Sequence, residues 1–151
     1  MPNPLWKEAL RFLPIPCIDI MFEEAGSGAI LFGYRRITPY KNVWALVGGR
    51  MLYGEGLKEA TKRIAKEYGM TCNNELYLVG VFPVAFKTRS DVSIAIAAPK
   101  ATGEPGVDGK EFSQFSWRKT VPEKTGRNYK LIVKKWKALR ESKEFLNLNR
   151  I

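Results

Sequence analysis

The stretch from Gly48 to Met70 reads GGRMLYGEGLKEATKRIAKEYGM, and its periodicity decides the fold. From Glu55 onward the residues suit a helix turning about 100° per residue. Glu55, Glu59, Arg63 and Glu67 then follow one another along one side, drifting only about 40° per step. Leu57, Ala60, Ile64 and Tyr68 fall on roughly the opposite side. One face therefore packs, and the other presents three carboxylates and a guanidinium. Gly48-Gly49 lets backbone approach a ligand closely, and Gly69 is a stop signal. Two readings of the polar face stay open. It supplies oxygen ligands to a divalent cation that bridges to phosphates, or it is a solvated face laced with Glu–Arg pairs worth about 0.3–0.5 kcal/mol each.

Working outward, residues 4–13 (PLWKEALRFL) form an amphipathic helix with Leu5, Trp6, Ala9, Leu10 and Leu13 on one face, ended by Pro14 and Pro16. Ile15 to Phe22 and Ala29 to Tyr34 flank the polar turn EEAGSG as a β-hairpin, and a third extended piece runs from Val43 to Val47. Leu76 to Phe86 and Val92 to Ala98 form a second hairpin around KTRSD. ATGEPGVDGKE is loop by composition, and Ser113 to Trp117 is a short strand. A basic helix runs from about Asn128 to Phe145, with Leu131, Ile132, Lys135, Trp136 and Leu139 on its packed side. There are no internal repeats and no low-complexity linker. The expected architecture is one mixed α/β (α+β) domain over residues 1–151, with a mixed sheet between helices.

Composition narrows the chemistry. The chain has 151 residues, 25 Lys plus Arg, 15 Asp plus Glu and a formal charge of +10. It has no histidine, so a general base must be Glu, Asp, Lys, Tyr or Cys. Zinc sites of the Cys/His kind lack ligands. The two cysteines, Cys17 and Cys72, make no disulfide framework. The charge suits an anionic partner without choosing among nucleic acid, membrane surface and phosphorylated small molecules. No apolar run reaches the ~20 residues of a membrane helix, and the start lacks a secretory pattern, so the cytoplasm is the expected setting and no membrane partner is expected.

Gly49, Glu55 and Arg63 at one end, with Glu67, Gly69 and Met70 at the other, resemble the box of the Nudix hydrolases. That box runs Gly, five residues, Glu, seven residues, then Arg-Glu-aliphatic-x-Glu-Glu-x-Gly-aliphatic. The two ends differ in register by one residue here. Ile64 stands where the box has Glu after Arg, and Lys66 replaces the first Glu of the pair. Upstream, Asp19, Gly33-Tyr34-Arg35, Pro39, Trp44 and Gly48-Gly49-Arg50 are similar to the GDP-mannose mannosyl hydrolase branch, which also lacks the Glu after the box Arg. The likeness covers about residues 4 to 117.

The resemblance implies a Nudix-like fold and a Mg²⁺-dependent hydrolase, with Mn²⁺ as a substitute. Its substrate would be a small-molecule nucleoside diphosphate derivative, a nucleotide sugar like GDP-mannose, attacked by water at the anomeric carbon. The Gly49 carbonyl and Glu67 would hold the metal. Arg50 and Arg63 would meet the diphosphate, and Asp19 and Arg35 would place the sugar nucleotide. The branch has a metal-binding Gln followed by a His base in the loop before the last strand. Aligning on FSW (residues 115–117) puts Glu111 and Phe112 there, so Glu111 becomes both metal ligand and base, with Asp108 and Gln114 in reserve. Arg35-Arg36 is either a solvated pair or, with Arg36 as a further substrate contact, a phosphate-binding pair. Trp44, Tyr40, Phe82 and Phe86 are either core or stacking surfaces. The resemblance also implies a homodimer, and the apolar face of the first helix is a candidate interface element.

Two other functions stay open. The missing His favours ordinary phosphoanhydride hydrolysis of a nucleoside diphosphate derivative or triphosphate. The altered box and the positive charge favour a non-catalytic domain that binds nucleotide or nucleic acid. Lys130, Lys134, Lys135, Lys137 and Arg140 would form a phosphate-tracking stripe. No nucleic-acid motif accompanies them, so nucleic acid is not the expected principal partner.

Overall fold

Apolar runs with period 2 build the centre of the molecule, and apolar residues at helical spacing cover it. The computed structural model describes residues 4–107 and 110–150; Asp108, the reserve base, lies outside them. The elements are α1 (Pro4–Phe12), β1 (Ile15–Glu24), β2 (Ile30–Arg35), β3 (Trp44–Ala45), β4 (Val47–Arg50), α2 (Leu57–Glu67), β5 (Met70–Thr71), β6 (Tyr77–Ala85), β7 (Ser90–Gly103), β8 (Phe112–Arg118), α3 (Arg127–Ser142) and β9 (Leu146–Asn147), followed by a 3₁₀ turn at Leu148–Arg150. The strands join as β3-β2-β1-β7-β6-β9, with β4 on β1, β5 on β7 and β8 on β2. β1 runs antiparallel to β2 and β4 but parallel to β7, so the sheet is mixed.

The alternation of β1 assigns its two faces. Ile18 pairs with Gly49, and a Cβ on Gly49 would come within 3.1 Å of Ile64 Cγ1. Ile18, Ile20 and Phe22, all fully buried, therefore face α2. The odd residues face α3: Met21, Ala97 and Tyr77 lie in one row, and Trp136 of α3 stacks on Tyr77 at 5.7 Å. Burial of each such large side chain contributes about 1.5–3 kcal/mol. This is the expected sheet between helices, and Cys17 and Asp19 share the α3 side.

Several boundaries differ from the sequence reading, each for a local reason. α2 begins after Gly56, because the Glu55 carboxylate turns back to accept the Leu52 N–H (2.9 Å). It ends where Gly69 adopts φ +75°; a Cβ there would meet the Glu104 carbonyl oxygen at 2.5 Å. β7 continues past Ala98 to Gly103, since Thr102 and Gly103 pair with β5. α3 stops at Ser142 rather than Phe145, with Lys143 at φ 57°. Its packed side is Tyr129, Ile132, Val133 and Trp136, while Leu131 is 47% exposed and Lys135 is exposed. The indole N–H of Trp136 donates to the buried carboxylate of Glu23 (2.7 Å), which fixes the rotation of the helix. In α1 the expected face is partly covered: Trp6, Ala9 and Leu10 are half-buried, while Leu5 and Leu13 are 71% and 60% exposed. No helix among the described residues is long and apolar enough to cross a membrane.

Candidate active site

The α3 side of β1 and β7 floors a cavity of about 320 Å³. Cys17 and Asp19 from β1, Asp91 and Ser93 from β7, and Gly48, Gly49 and Arg50 from β4 reach it. Arg35, residues 37–40, Glu111 and the first turn of α3 form the walls. Gly48 is required beside Asp19, because a Cβ there would collide with the Asp19 carboxylate.

Asp19 is buried, and the Ser93 hydroxyl donates to its Oδ2. Burial pushes its carboxyl up from 3.8 to about 6, against the Ser93 hydrogen bond and the Arg35 charge, which pull it down. Arg35 is equally buried. Its Nε donates to the Pro39 carbonyl (2.8 Å) and its Nη1 to Glu111 Oε1 (2.5 Å). The Tyr68 hydroxyl donates to Glu111 Oε2 (2.7 Å), so both oxygens of Glu111 carry a donor. Arg50 lines the cavity, stacks over Trp6 of α1 at 4.8 Å, and has no carboxylate partner among the described residues. Cys17 lines the floor as an inert thiol, pushed up to about 12 by burial and by the charges of Asp91 and Asp19.

The cavity thus gathers Asp19, Arg35, Gly49, Arg50 and Glu111 and leaves out Arg36, Trp44, Arg63 and Glu67. Arg63 is committed to the protein. Its Nε and Nη2 donate to Glu55, its Nη1 donates to Glu67 (2.8 Å), and its Nη2 also reaches the Arg50 carbonyl (2.8 Å). Those carboxylates hold its proton more firmly, and the same pairing lowers Glu55 to about 2. Glu67 is 54% exposed. Trp44 lies edge-on to Tyr34 (5.3 Å) with Arg118 above it. Phe112, at the position of the branch's His, is fully buried against Tyr68 and Phe115. Gln114 is exposed on β8.

No group of three metal-ligating side chains occurs among the described residues, so a cage of carboxylates does not fit. Glu67, with one oxygen on Arg63, and the Gly49 carbonyl are hard oxygen donors. Both would suit a hard divalent cation such as Mg²⁺, with Glu67 and the Gly49 carbonyl as its protein ligands.

The sequence reading missed Arg89, Asp91, Ser93, Asn128 and Tyr129. KTRSD looks like a turn, yet the turn closes earlier, with Phe86 N–H on the Arg89 carbonyl (2.8 Å), and Asp91 is already strand. The available signal was Asp91 and Ser93, polar at alternate positions before an apolar run.

No family model matches the chain. It is 25% identical over 124 residues, 82% of its length and 69% of the other protein, to the low-salt glycan biosynthesis protein Agl8 of Haloferax volcanii. The MutT Nudix hydrolase of Burkholderia pseudomallei superposes with a TM-score of 0.73 at 19% identity, covering 82% of this chain and 98% of that one. The Nudix domain of Shewanella oneidensis NrtR, complexed with ADP ribose, superposes with a TM-score of 0.69 at 13% identity, covering 91% and 92%. Strand order, helix placement and these superpositions agree: the chain has the Nudix fold.

Proposed function

We propose that the protein is a hydrolase of a nucleoside diphosphate derivative, acting on a nucleotide sugar of the GDP-mannose kind and releasing nucleoside diphosphate and free sugar. The observation that carries this reading is the cavity in which Asp19, Arg35 and Arg50 meet. Two guanidiniums suit a diphosphate, and a buried carboxylate suits a proton acceptor. The glycan-related name of the Haloferax volcanii relative is consistent with a sugar nucleotide.

In this reading a water oxygen bonds to the anomeric carbon as the carbon–oxygen bond to the diphosphate breaks. Asp19 takes the water proton; with its carboxyl at about 6 it is ionised at neutral pH and still basic. Glu111 is the weaker candidate, since Arg35 and Tyr68 already occupy its oxygens. It holds Arg35 in place instead. Arg35 and Arg50 meet the negative charge that grows on the leaving diphosphate. Bound Mg²⁺ would neutralise part of that charge, held by Glu67 and the Gly49 carbonyl. Arg63 positions Glu67 rather than touching substrate.

The test is ³¹P NMR of products from GDP-mannose with Mg²⁺. GDP is expected; GMP with mannose 1-phosphate would select phosphoanhydride cleavage and overturn attack at carbon. Glu67→Gln is expected to abolish the Mg²⁺-dependent turnover with the fold intact, and unchanged activity would remove Glu67 from the metal. Binding without turnover is a second reading, favoured by Lys66 and Ile64 in the box and the buried Phe112. Unaltered GDP-mannose after prolonged incubation, with tight nucleotide binding, would select it.

A further inference from the structure

Among the described residues, the buried side-chain polar atoms left without a hydrogen-bond partner are three: Arg89 Nε, Asp91 Oδ1 and Asn128 Oδ1. All three residues line the same cavity. A buried polar atom with no partner costs about 1–3 kcal/mol, so three on residues that line one cavity mark a surface built to be completed. Asp91 is 7% exposed. Its Oδ2 accepts from Arg89 Nη2 (2.8 Å), and the Arg89 guanidinium lies over Phe86 at 5.5 Å. The pair holds the Asp91 carboxylate in one orientation and leaves Oδ1 buried without a partner. Asn128 approaches from the first turn of α3.

The unmet groups are two acceptors and one donor. We propose that Asp91, Asn128 and Arg89 form a subsite for the hydroxyl groups of the sugar, and that Asp91 and Asn128 determine which glycosyl group the enzyme accepts. A hydroxyl donates one hydrogen bond and accepts others. Neighbouring hydroxyls therefore answer Asp91 Oδ1, Asn128 Oδ1 and Arg89 Nε together. A flat base fits less well. Tyr40 meets Phe86 at 80° and Tyr129 at 55°, so the rings at this end present no parallel pair for a base to enter. This proposal rests on the nucleotide-sugar reading and adds the residues that recognise the sugar.

Binding tests it, scored by calorimetric titration of the intact protein with GDP-mannose and with GDP, in EDTA and again with Mg²⁺. ³¹P NMR reports whether the ligand survives. The variants are Asp91→Asn, nearly isosteric, and Asn128→Ala on the more exposed first turn of α3. A hydrogen bond to a charged group is worth roughly a tenfold to a hundredfold in affinity. The expected result is a loss of about that size for GDP-mannose with Asp91→Asn, a smaller loss with Asn128→Ala, and unchanged affinity for GDP in both. Equal losses for GDP and GDP-mannose would place these residues on the nucleotide and overturn the subsite while leaving the hydrolase reading standing. Wild-type protein that gains no affinity from the attached mannose would overturn it too. Protein that binds GDP-mannose more tightly than GDP but never cleaves it would sink the hydrolase reading and still score the subsite.

Discussion

On α2, Arg63 joins Glu55, Glu67 and the Arg50 carbonyl at the protein surface. On the far side of the sheet, Asp19 and Asp91 sit in a cavity, each fixed through one oxygen by Ser93 or Arg89. The first cluster neutralises itself and costs little to hold, because water screens it. The second keeps charge where burial penalises it. A protein tolerates such a penalty where the strained groups meet a ligand. The guanidinium on the helix is thus committed to neighbouring carboxylates, whereas the two aspartates on the strands face a cavity.

The comparison breaks most directly at Asp19. Asp19→Asn is expected to lower turnover of a nucleotide sugar by roughly 10²–10⁴-fold. The same variant is expected to be more stable at pH 7. The carboxyl shifts from 3.8 to about 6 on folding, a penalty on its ionised form of roughly 3 kcal/mol. Steady-state rates and thermal melts on one preparation check both. An inactive variant that is also less stable would make Asp19 a structural residue.

Much of this contrast is legible in the sequence, and the rest is hidden for identifiable reasons. The helix face of Glu59, Arg63 and Glu67 follows from four-residue spacing, which local geometry enforces, whereas Glu55 precedes the helix and meets Arg63 by turning back. The mixed sheet follows from period-2 runs separated by turns. Asp19 stands out as a charge in an apolar strand. Asp91 does not, because Lys87, Thr88 and Arg89 before it disguise the strand start as a turn. That Glu111 meets both Arg35 and Tyr68 depends on contacts 76 and 43 residues apart in the chain. No spacing rule reaches that far. On α3 Ile132, Trp136 and Leu139 pack as the spacing predicts, whereas Leu131 and Lys135 face water; the hydrogen bond from Trp136 to Glu23, which no spacing rule reveals, anchors the helix.

A smaller effect separates the two arginine clusters. Arg35→Ala removes one partner of a mostly buried pair, with side chains 10% and 26% exposed, and is expected to cost about 2 kcal/mol, below the value for a fully buried pair. Arg63→Lys keeps the charge but loses the two-pronged geometry. With the Arg63 side chain 28% exposed, its expected cost is about 1 kcal/mol or less. Urea denaturation of both variants ranks them. A larger loss for Arg63→Lys would mean that the α2 cluster, not the cavity wall, holds this end of the molecule together.

The smallest effect is a pair of opposite pH slopes. Glu55 is lowered to about 2 by Arg63, so its contribution is present above the unfolded value of 4.5 and fades as the pH falls toward 2. Asp19 is raised, so the stability tied to its protonated form is complete below about 4 and is lost as the pH rises through about 6. Melting temperatures across this range are expected to lose their upper decline in Asp19→Asn and to keep it in Glu55→Gln, whose own deficit appears above about 4. Glu55 is half-buried at the α2 surface, its side chain 16% exposed, and Asp19 is buried, so the Glu55 slope should shrink more in high salt than that of Asp19. Equal salt sensitivity of the two slopes would mean that water reaches the cavity floor as freely as the helix surface, and the difference in burial between the two regions would no longer account for their chemistry.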